Sequence, residues 1–438
     1  MDSRERVELA LSHRQPDRVP IDYWAQPEVT ARLMRRLGLA SQEDLLQELD
    51  VDFRYIDGPR YVGRGMGVSP MCSMGILPMS SSFSSSSPSS STFSASAAQQ
   101  QQKQQQQDRA GTALEHTGKM PVPHKDTGKM PVPHKDMGKM PMLQEEDHFG
   151  VPRVKVRVGA GESSGTYSEV AGYPLAGMSL AQIEQYPKWP SPDEFDYAPI
   201  RSQVEAARAT GKVVVFMGDR TNRAAQLKPA MYLRGVEQIL LDMAAEPEIA
   251  RYIFHRIGTF YLEYFRRTLE AAGGGIDIFL TGDDFGTQTG LMVSPRMWTE
   301  FLRPGFEAFV RLGHDHGCRV AHHSCGSIKP IIGDMIDCGL DILNPLQPGV
   351  HDMDHAELKR LFGGRLCFHG SISIQRTLPY GSADDIRREV RQRFQTLAPG
   401  GGFVFCTAHN IQPDTPIENV LTLFKAYREL GRYSSEHG

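Results

Sequence analysis

Short runs of β-forming residues recur along this chain and alternate with stretches long enough for amphipathic helices. Parallel strands need such crossovers, because the chain has to return to the same end of the sheet before it can pair again. Eight connected units favour a closed α/β barrel, a single (β/α)8 TIM barrel, over an open doubly wound sheet. The eight runs occupy residues 20–24, 53–57, 213–218, 276–281, 319–324, 342–346, 366–370 and 403–407.

A segment of low complexity interrupts this pattern after the second run. A serine tract at 80–96 leads into a glutamine tract at 99–107, and a repeated decapeptide follows. Such a composition buries too little apolar surface to offset the entropy that ordering costs. We therefore predict that residues 69–141 form a disordered insert, and that 1–68 and 142–438 together form the barrel domain.

The bulk composition argues against several classes of protein. The chain of 438 residues has 48 basic and 52 acidic residues and a formal net charge of -4, so it lacks the basic surface that nucleic-acid binding needs. No stretch of about 18 residues is continuously apolar, which argues against a membrane span. The six cysteines are spread along the chain, as is typical of proteins in a reducing compartment. We therefore expect a cytoplasmic enzyme that binds neither nucleic acid nor membrane.

Several of the predicted strands end in polar residues. In α/β barrels the catalytic residues lie at the carboxyl ends of the strands and in the loops that follow. Asp57 follows the second run and Asp283 the fourth, and we expect both carboxylates to face a substrate. The alternative is structural, because acidic residues also cap the next turn or helix. Further candidates at strand ends are Asp284, His322, Gln347, His369 and His409.

The fifth run ends in His322-His323-Ser324-Cys325. Residues two apart on a strand face the same side, so the side chains of His323 and Cys325 point together while His322 points away. An imidazole and a thiolate suit zinc, which needs at least one more protein ligand and keeps an open position if it is catalytic. The alternative is that Cys325 is a small buried apolar residue and His323 bonds to a backbone carbonyl.

Several segments of the chain resemble the uroporphyrinogen decarboxylase superfamily. They are Arg-Glu-Arg-Val at 4–7, Pro-Asp-Arg-Val-Pro at 16–20, His-Ser-Cys-Gly at 323–326 and His-Asn-Ile-Gln-Pro-Asp-Thr-Pro at 409–416. The resemblance extends over essentially the whole chain outside the insert. It implies one barrel and either of two reactions: cofactor-free decarboxylation of porphyrinogens, or zinc-dependent transfer of a methyl group between a corrinoid protein and a thiol such as coenzyme M.

Resemblance to the methyltransferase branch implies a zinc site. That branch holds zinc through His-x-Cys after the fifth strand, matched by His323 and Cys325, and through a cysteine after the eighth strand. His409 stands at this third position, and Cys406 is the alternative ligand, although its apolar neighbours are typical of a core cysteine. One thiolate and two imidazoles leave the zinc with a positive charge that two thiolates would cancel. A bound thiol would then ionise more readily but be less nucleophilic.

The decarboxylase branch, which the chain also resembles, implies other roles. There an aspartate after the second strand holds the pyrrole NH groups and a histidine follows the last strand, and Asp57 and His409 match them. That branch also has arginines in an early loop that hold substrate carboxylates, whereas residues 21–27 of this chain include no basic residue. Because unpaired carboxylates in a closed site are costly, the sequence favours the methyltransferase branch.

The sequence thus predicts a zinc-dependent methyltransferase. His323, Cys325 and His409 are the predicted ligands of one Zn²⁺ per chain, and Asp57 and Asp283 are predicted to face the substrate. The expected partners are a small thiol substrate and a corrinoid protein, which carries the cobalamin, and a homodimer is left open. A decarboxylase and a catalytically silent corrinoid-binding scaffold are the alternatives.

Overall fold

The computed structural model describes residues 1–63, 145–158, 165–218 and 226–433, and the insert predicted at 69–141 lies outside them. The strands are β1 (Phe53–Ile56), β2 (Arg60–Tyr61), β3 (Glu145–Glu146), β4 (Pro152–Val158), β5 (Gly165–Val170), β6 (Phe195–Asp196), β7 (Val213–Phe216), β8 (Ile278–Gly282), β9 (Arg319–His323), β10 (Ile342–Asn344), β11 (Cys367–His369) and β12 (Phe403–Val404). The helices are Ser3–Leu11, Pro27–Leu37, Gln42–Glu48, Leu180–Glu184, Pro199–Ala209, Leu227–Arg234, Val236–Ala245, Pro247–Ala272, Pro295–Met297, Arg303–Asp315, Lys329–Asp337, His355–Phe362, Thr377–Tyr380, Ala383–Leu397 and Ile417–Leu430, with a π-helical turn at Trp298–Leu302 and a 3₁₀ turn at Pro192–Glu194.

The main sheet has seven parallel strands in the order β1-β7-β8-β9-β10-β11-β12. At least one helix separates each strand from the next in the chain, so every connection is a crossover and all carboxyl ends lie at one edge. Such strands are covered on both faces, and Val213–Phe216 is accordingly buried along its whole length. The α/β class and seven of the eight predicted strands are confirmed.

The first predicted run, residues 20–24, is not a strand in the structure. Ile21 instead forms a single parallel bridge with Phe405, just after β12. The carbonyl of Ile21 also accepts a hydrogen bond of 3.0 Å from the amide of Asp52, just before β1. This segment therefore bonds to both edges of the curled sheet through isolated contacts.

The basic residues of the N-terminal motifs are structural. Asp52 is fully buried, and its carboxylate accepts hydrogen bonds from Arg6 at 2.8 Å, Arg18 at 2.7 Å and Ser3 at 2.7 Å. Because a buried carboxylate is costly unless it is paired, these contacts hold the N-terminal helix Ser3–Leu11 against the amino end of β1. The amino ends of the strands lie opposite the edge where the predicted ligands are.

Helix Pro247–Ala272 covers one face of the sheet through aromatic contacts. The ring of Phe265 meets that of Phe279 in β8 edge to face, with centroids 4.8 Å apart, and that of Phe309 at 5.5 Å. Such pairs add to the stabilisation from burial alone. Among the residues that the structure describes, neither this helix nor any other is long and apolar enough to cross a membrane.

We expect His355 to make the protein sensitive to acid. It begins helix His355–Phe362 and is buried, and burial, together with the nearby positive charge of Arg393, lowers its pKa from 6.5 to about 4. A histidine with a lowered folded-state pKa contributes stability above the unfolded pKa and loses it as the pH falls towards the folded pKa. Between pH 7 and pH 5 the loss should reach about 2 kcal/mol.

The variant His355→Gln carries no charge at either pH. Urea unfolding at pH 7 and pH 5 should therefore show a smaller acid loss in the variant than in the wild type, since all other groups titrate in both proteins. Equal losses would show that His355 is not the group responsible.

Candidate metal centre

The end of β9 brings His323 and Cys325 together. The Sγ atom of Cys325 lies 3.3 Å from Nε2 of His323, as expected for residues two apart on one face of a strand. His322 points to the other side, where its ring stacks on Phe285 with centroids 5.4 Å apart and its Nδ1 bonds to Oγ1 of Thr281 at 2.8 Å. The alternation predicted from the sequence is therefore present.

His409 joins this pair from the loop that follows β12. The rings of His409 and His323 meet edge to face, with centroids 5.7 Å apart. The potential ligand atoms of His323, Cys325 and His409 all lie within 4.8 Å of one another. Because His323 is buried while Cys325 and His409 are partly exposed, the group is accessible from one side.

Cys406, the alternative third ligand, belongs to a different group. It is 2% exposed, and its Sγ lies within 4.8 Å of the potential ligand atoms of Asp22 and His369. Burial raises the pKa of the Cys406 thiol well above its ordinary value, and the carboxylate of Asp22 adds to the effect. Because metals bind the thiolate, this environment favours His409 over Cys406 as the third ligand.

Two glycines let the loop after β9 lie against the loop after β8. Gly326 has a φ of +87°, and a Cβ built on it would lie 2.4 Å from the carbonyl carbon of Gly286. A Cβ on Gly286 would lie 2.6 Å from the amide nitrogen of Ser327. The two loops therefore touch through main-chain atoms, which only glycine permits, and this contact positions the neighbouring Cys325.

Asp284 lies beside the three potential ligands. Its Oδ1 accepts a hydrogen bond of 3.0 Å from the amide of Cys325 and lies 3.7 Å from Nε2 of His323, and the ammonium of Lys228 donates to its Oδ2 at 2.6 Å. Burial alone would raise the pKa of Asp284, but Lys228, His323 and the Cys325 amide outweigh it and hold the pKa well below its ordinary value. The ionised side chain thus holds the loop that carries Cys325.

Asp283, predicted to face the substrate, points away from these residues. It is 1% exposed, and its carboxylate accepts hydrogen bonds from the amides of Gln226, Leu227 and Lys228 at 2.9, 2.6 and 2.8 Å. Burial raises its pKa to about 7, although these amides act in the opposite direction. The contacts at the start of helix Leu227–Arg234 support the capping alternative, and the substrate role of Asp283 stays a prediction.

Asp57 follows β1 at the same edge of the sheet as His323. Its side chain is exposed, which suits a residue that meets a substrate rather than one that packs in the core. It is not part of the group formed by His323, Cys325 and His409. Its role in catalysis stays a prediction.

A series of buried polar side chains leads from His323 to Asp22. Nδ1 of His323 bonds to Oδ1 of Asn344 at 2.5 Å, and Nδ2 of Asn344 bonds to Nδ1 of His369. Nε2 of His369 then bonds to Oδ2 of Asp22 at 3.0 Å. We call these three residues, of which only Asn344 bonds directly to His323, the Asp22–His369–Asn344 network. The sequence pointed to His369 but to neither Asn344 nor Asp22.

The residues present fit a zinc ion. One thiol sulfur and two imidazole nitrogens are ligands that zinc prefers in proteins. Asn344 occupies Nδ1 of His323, so Nε2 is the ring nitrogen that faces Cys325. A ligating histidine usually has its second nitrogen held in this way.

Comparison with known sequences gives one family match and several relatives. The family model described as "Uroporphyrinogen decarboxylase (URO-D)" matches residues 188–430. The methylcobamide:CoM methyltransferase MtaA of Methanosarcina barkeri is 30% identical over 159 residues, which are 35% of this chain and 42% of that protein. A uroporphyrinogen decarboxylase of Chlorobium phaeobacteroides is 24% identical over 197 residues, or 43% of this chain and 51% of that protein. The chain thus matches about half the length of these relatives.

Comparison with solved structures supports the fold over a longer range. A methyltransferase from Methanosarcina mazei superposes with a TM-score of 0.55, covering 98% of this chain and 99% of that chain, at 16% sequence identity. At this identity the likeness concerns the fold alone.

Proposed function

We propose that this chain, which belongs to the uroporphyrinogen decarboxylase (URO-D) family, is a zinc-dependent methyltransferase that moves a methyl group between a corrinoid protein and a thiol. The observation that carries the proposal is the convergence of His323, Cys325 and His409 within 4.8 Å. The similarity to the methyltransferase MtaA supports the choice of reaction. The proposal takes the curled sheet as a barrel closed by residues 20–24, with the ligands at its carboxyl-end mouth.

The proposed ligand set would serve a thiol substrate. Zinc held by these three residues would lower the pKa of a thiol at its open position. The exposed sides of Cys325 and His409 are where a thiol and a methyl donor would approach. Asp284 keeps the Cys325 loop in place through the hydrogen bond to the Cys325 amide, and this preorganisation keeps the sulfur at its distance from His323.

The reaction itself can be tested with the purified full chain, one equivalent of zinc, free methylcobalamin and a panel of thiols that includes coenzyme M. The thiol sulfur would form a bond to the methyl carbon as the cobalt–carbon bond breaks, its electron pair would stay on cobalt, and the thiol proton would pass to solvent. We expect loss of the methylcobalamin absorbance and a methyl thioether in the mass spectrum. Zinc-loaded protein that binds methylcobalamin but forms no thioether with any thiol would instead be the silent scaffold.

Decarboxylation is the second candidate, because a uroporphyrinogen decarboxylase is also among the relatives. Asp57 and His409 occupy the positions that such an enzyme would use. The segment at 21–27 opposes this function, because it offers no basic side chain to substrate carboxylates. Metal-free protein that releases carbon dioxide from a porphyrinogen would establish the decarboxylase and overturn the methyltransferase.

We expect Asp57→Asn to reduce activity without weakening the fold. The side chain is exposed at the carboxyl end of β1, where a neutral isostere removes charge but little packing. The loss should appear in kcat/KM for methyl transfer, by about tenfold or more, while the melting temperature stays within a few degrees of the wild type. A variant that unfolds but whose folded fraction turns over normally would show that Asp57 is structural.

A further inference from the structure

We infer that the Asp22–His369–Asn344 network positions His323, fixing its ring proton on Nδ1 and leaving Nε2 to bind metal beside Cys325. The inference rests on the proposed zinc site but not on methyl transfer. It concerns an internal arrangement that exists before any metal or substrate binds. All members of the network are nearly inaccessible, with exposed fractions of 3% for Asp22, 6% for His369 and 0% for Asn344.

Asp22 sets the direction of the hydrogen bonds. Its carboxylate already accepts from the Tyr55 hydroxyl at 2.6 Å, the Trp24 indole at 2.9 Å and the Tyr23 amide at 2.7 Å. A carboxylate only accepts, so Nε2 of His369, 3.0 Å away, carries the proton of that ring. Nδ1 of His369 then holds the lone pair and accepts from its next partner in the network.

Asn344 transmits this hydrogen-bond direction from His369 to His323. The amide NH₂ of Asn344 donates to Nδ1 of His369, which turns the amide oxygen towards Nδ1 of His323 at 2.5 Å. An amide oxygen only accepts, so Nδ1 of His323 carries the proton. A neutral ring has one proton, and the lone pair of His323 is therefore on Nε2, the atom 3.3 Å from Sγ of Cys325.

The reverse direction conflicts with Asp22. If the Asn344 amide were flipped, its NH₂ would face His323 and its oxygen would face His369. His369 would then carry its proton on Nδ1 and present a lone pair to the Asp22 carboxylate at 3.0 Å. Two acceptors in contact inside a buried site are strongly unfavourable, so Asp22 selects the direction that frees Nε2 of His323.

The same residues also hold the face of the His323 ring. The Trp24 indole stacks on it with centroids 5.8 Å apart and an interplanar angle of 20°, while the indole nitrogen donates to Asp22. Along the sheet, Asn344 is the register partner of His323, so its amide lies at the level of the ring. Asp22 therefore helps to orient the His323 ring in two ways: at its edge through His369 and Asn344, and at its face through Trp24.

A competing role for this region is a second metal site. The potential ligand atoms of Asp22, His369 and Cys406 lie within 4.8 Å of one another. Against this role, the oxygens of Asp22 are already used by three donors, and burial raises the pKa of the Cys406 thiol. Metal stoichiometry distinguishes the two roles.

The first test uses the wild-type protein without metal. Long-range ¹H–¹⁵N NMR reports which nitrogen of each ring is protonated, and His323→Gln identifies the signals of His323. We expect the proton on Nδ1 of His323 and on Nε2 of His369. A proton on Nε2 of His323 would overturn the inference, whatever reaction the protein catalyses.

The second test removes members of the network. Asp22→Asn removes the acceptor that fixes the direction of the hydrogen bonds, and Asn344→Ala removes the link between His369 and His323. Each variant should therefore bind zinc about 10- to 100-fold more weakly, as measured by competition with a chromophoric chelator. In each variant the single ring proton of His323 should also exchange between Nδ1 and Nε2. A loss of stability alone would not cause this exchange. If Asp22→Asn does not fold, Asn344→Ala and the wild-type spectrum decide.

The matched control is Cys406→Ala, which alters the same buried region but no member of the network. It should leave the zinc affinity and the His323 proton unchanged. Unchanged zinc affinity and an unchanged ring proton in Asp22→Asn or Asn344→Ala would overturn the positioning role. Two zinc ions per wild-type chain, falling to one in Cys406→Ala, would also overturn it and assign these residues to a second metal site.

Discussion

Replacing Cys325 with alanine should lower the zinc content of the purified protein from about one ion per chain to almost none. Cys325 supplies the thiolate of the proposed set, and its Sγ is 3.3 Å from Nε2 of His323. Two neutral imidazoles cannot replace the charge attraction between a thiolate and Zn²⁺. Methyl transfer should fall by the same factor as the zinc content. Metal analysis and the methylcobalamin assay on one preparation measure both quantities.

Cys406→Ala is the control for this prediction, because Cys406 also follows a strand of the main sheet but is buried beside Asp22 and His369. It should keep its zinc. X-ray absorption of the wild type should show one sulfur and two nitrogens at the metal, and a second sulfur when the thiol substrate is added. Binding should weaken as the pH falls through the histidine range, because protons compete for both imidazoles. Retention of zinc in Cys325→Ala and its loss in Cys406→Ala would make Cys406 the ligand.

Asp283→Ala should destabilise the protein by about 3–5 kcal/mol. The variant leaves the amides of Gln226, Leu227 and Lys228 without the acceptor that they now share, in a place that is almost closed to water. Asp283→Asn should cost less, about 1–3 kcal/mol, because one oxygen still accepts while the NH₂ group faces a donor. Urea unfolding of the wild type, Asp283→Asn and Asp283→Ala at one pH should show free energies of unfolding that fall in that order.

The same pair of variants tests the role that the sequence suggested. If Asp283 also contacts a substrate, the folded fraction of Asp283→Asn should lose activity in addition to the loss of stability. If Asp283 only caps helix Leu227–Arg234, the free energy of unfolding should fall while the kcat/KM of the folded fraction stays near the wild-type value. The two outcomes differ in the kcat/KM of the folded fraction, so a single preparation separates them.

The part of the site that could be predicted depends on local geometry. The two-residue period of a strand was enough to place His323 and Cys325 on one side, because β9 continues regularly to His323. The position of His409 followed from resemblance to a known family. The choice of Asp283 rather than Asp284 after β8, which ends at Gly282, had no such geometric basis, and Asp284 is the residue that lies beside His323.

The Asp22–His369–Asn344 network could not be predicted because its contacts are far apart in the sequence. Asp22 meets His369 across 347 residues and Tyr55 across 33. The segment that contains Asp22 also lacks regular strand pairing and bonds through isolated bridges such as that of Ile21. Only the folded sheet brings these side chains into contact, and nothing in the local pattern marks them as polar partners of a histidine.

The contact between Gly286 and Gly326 makes the spacing of two loops independent of the side chains that would meet a substrate. The glycine contact lets the loops that carry Asp284 and Cys325 approach to main-chain distance, since a Cβ at either glycine would lie within 2.6 Å of the opposite backbone. Descendants of this chain could therefore exchange the side chains around the proposed mouth, and so acquire new substrates, without altering the spacing of the proposed metal ligands. The substrate range could then diverge while the proposed zinc chemistry stays the same.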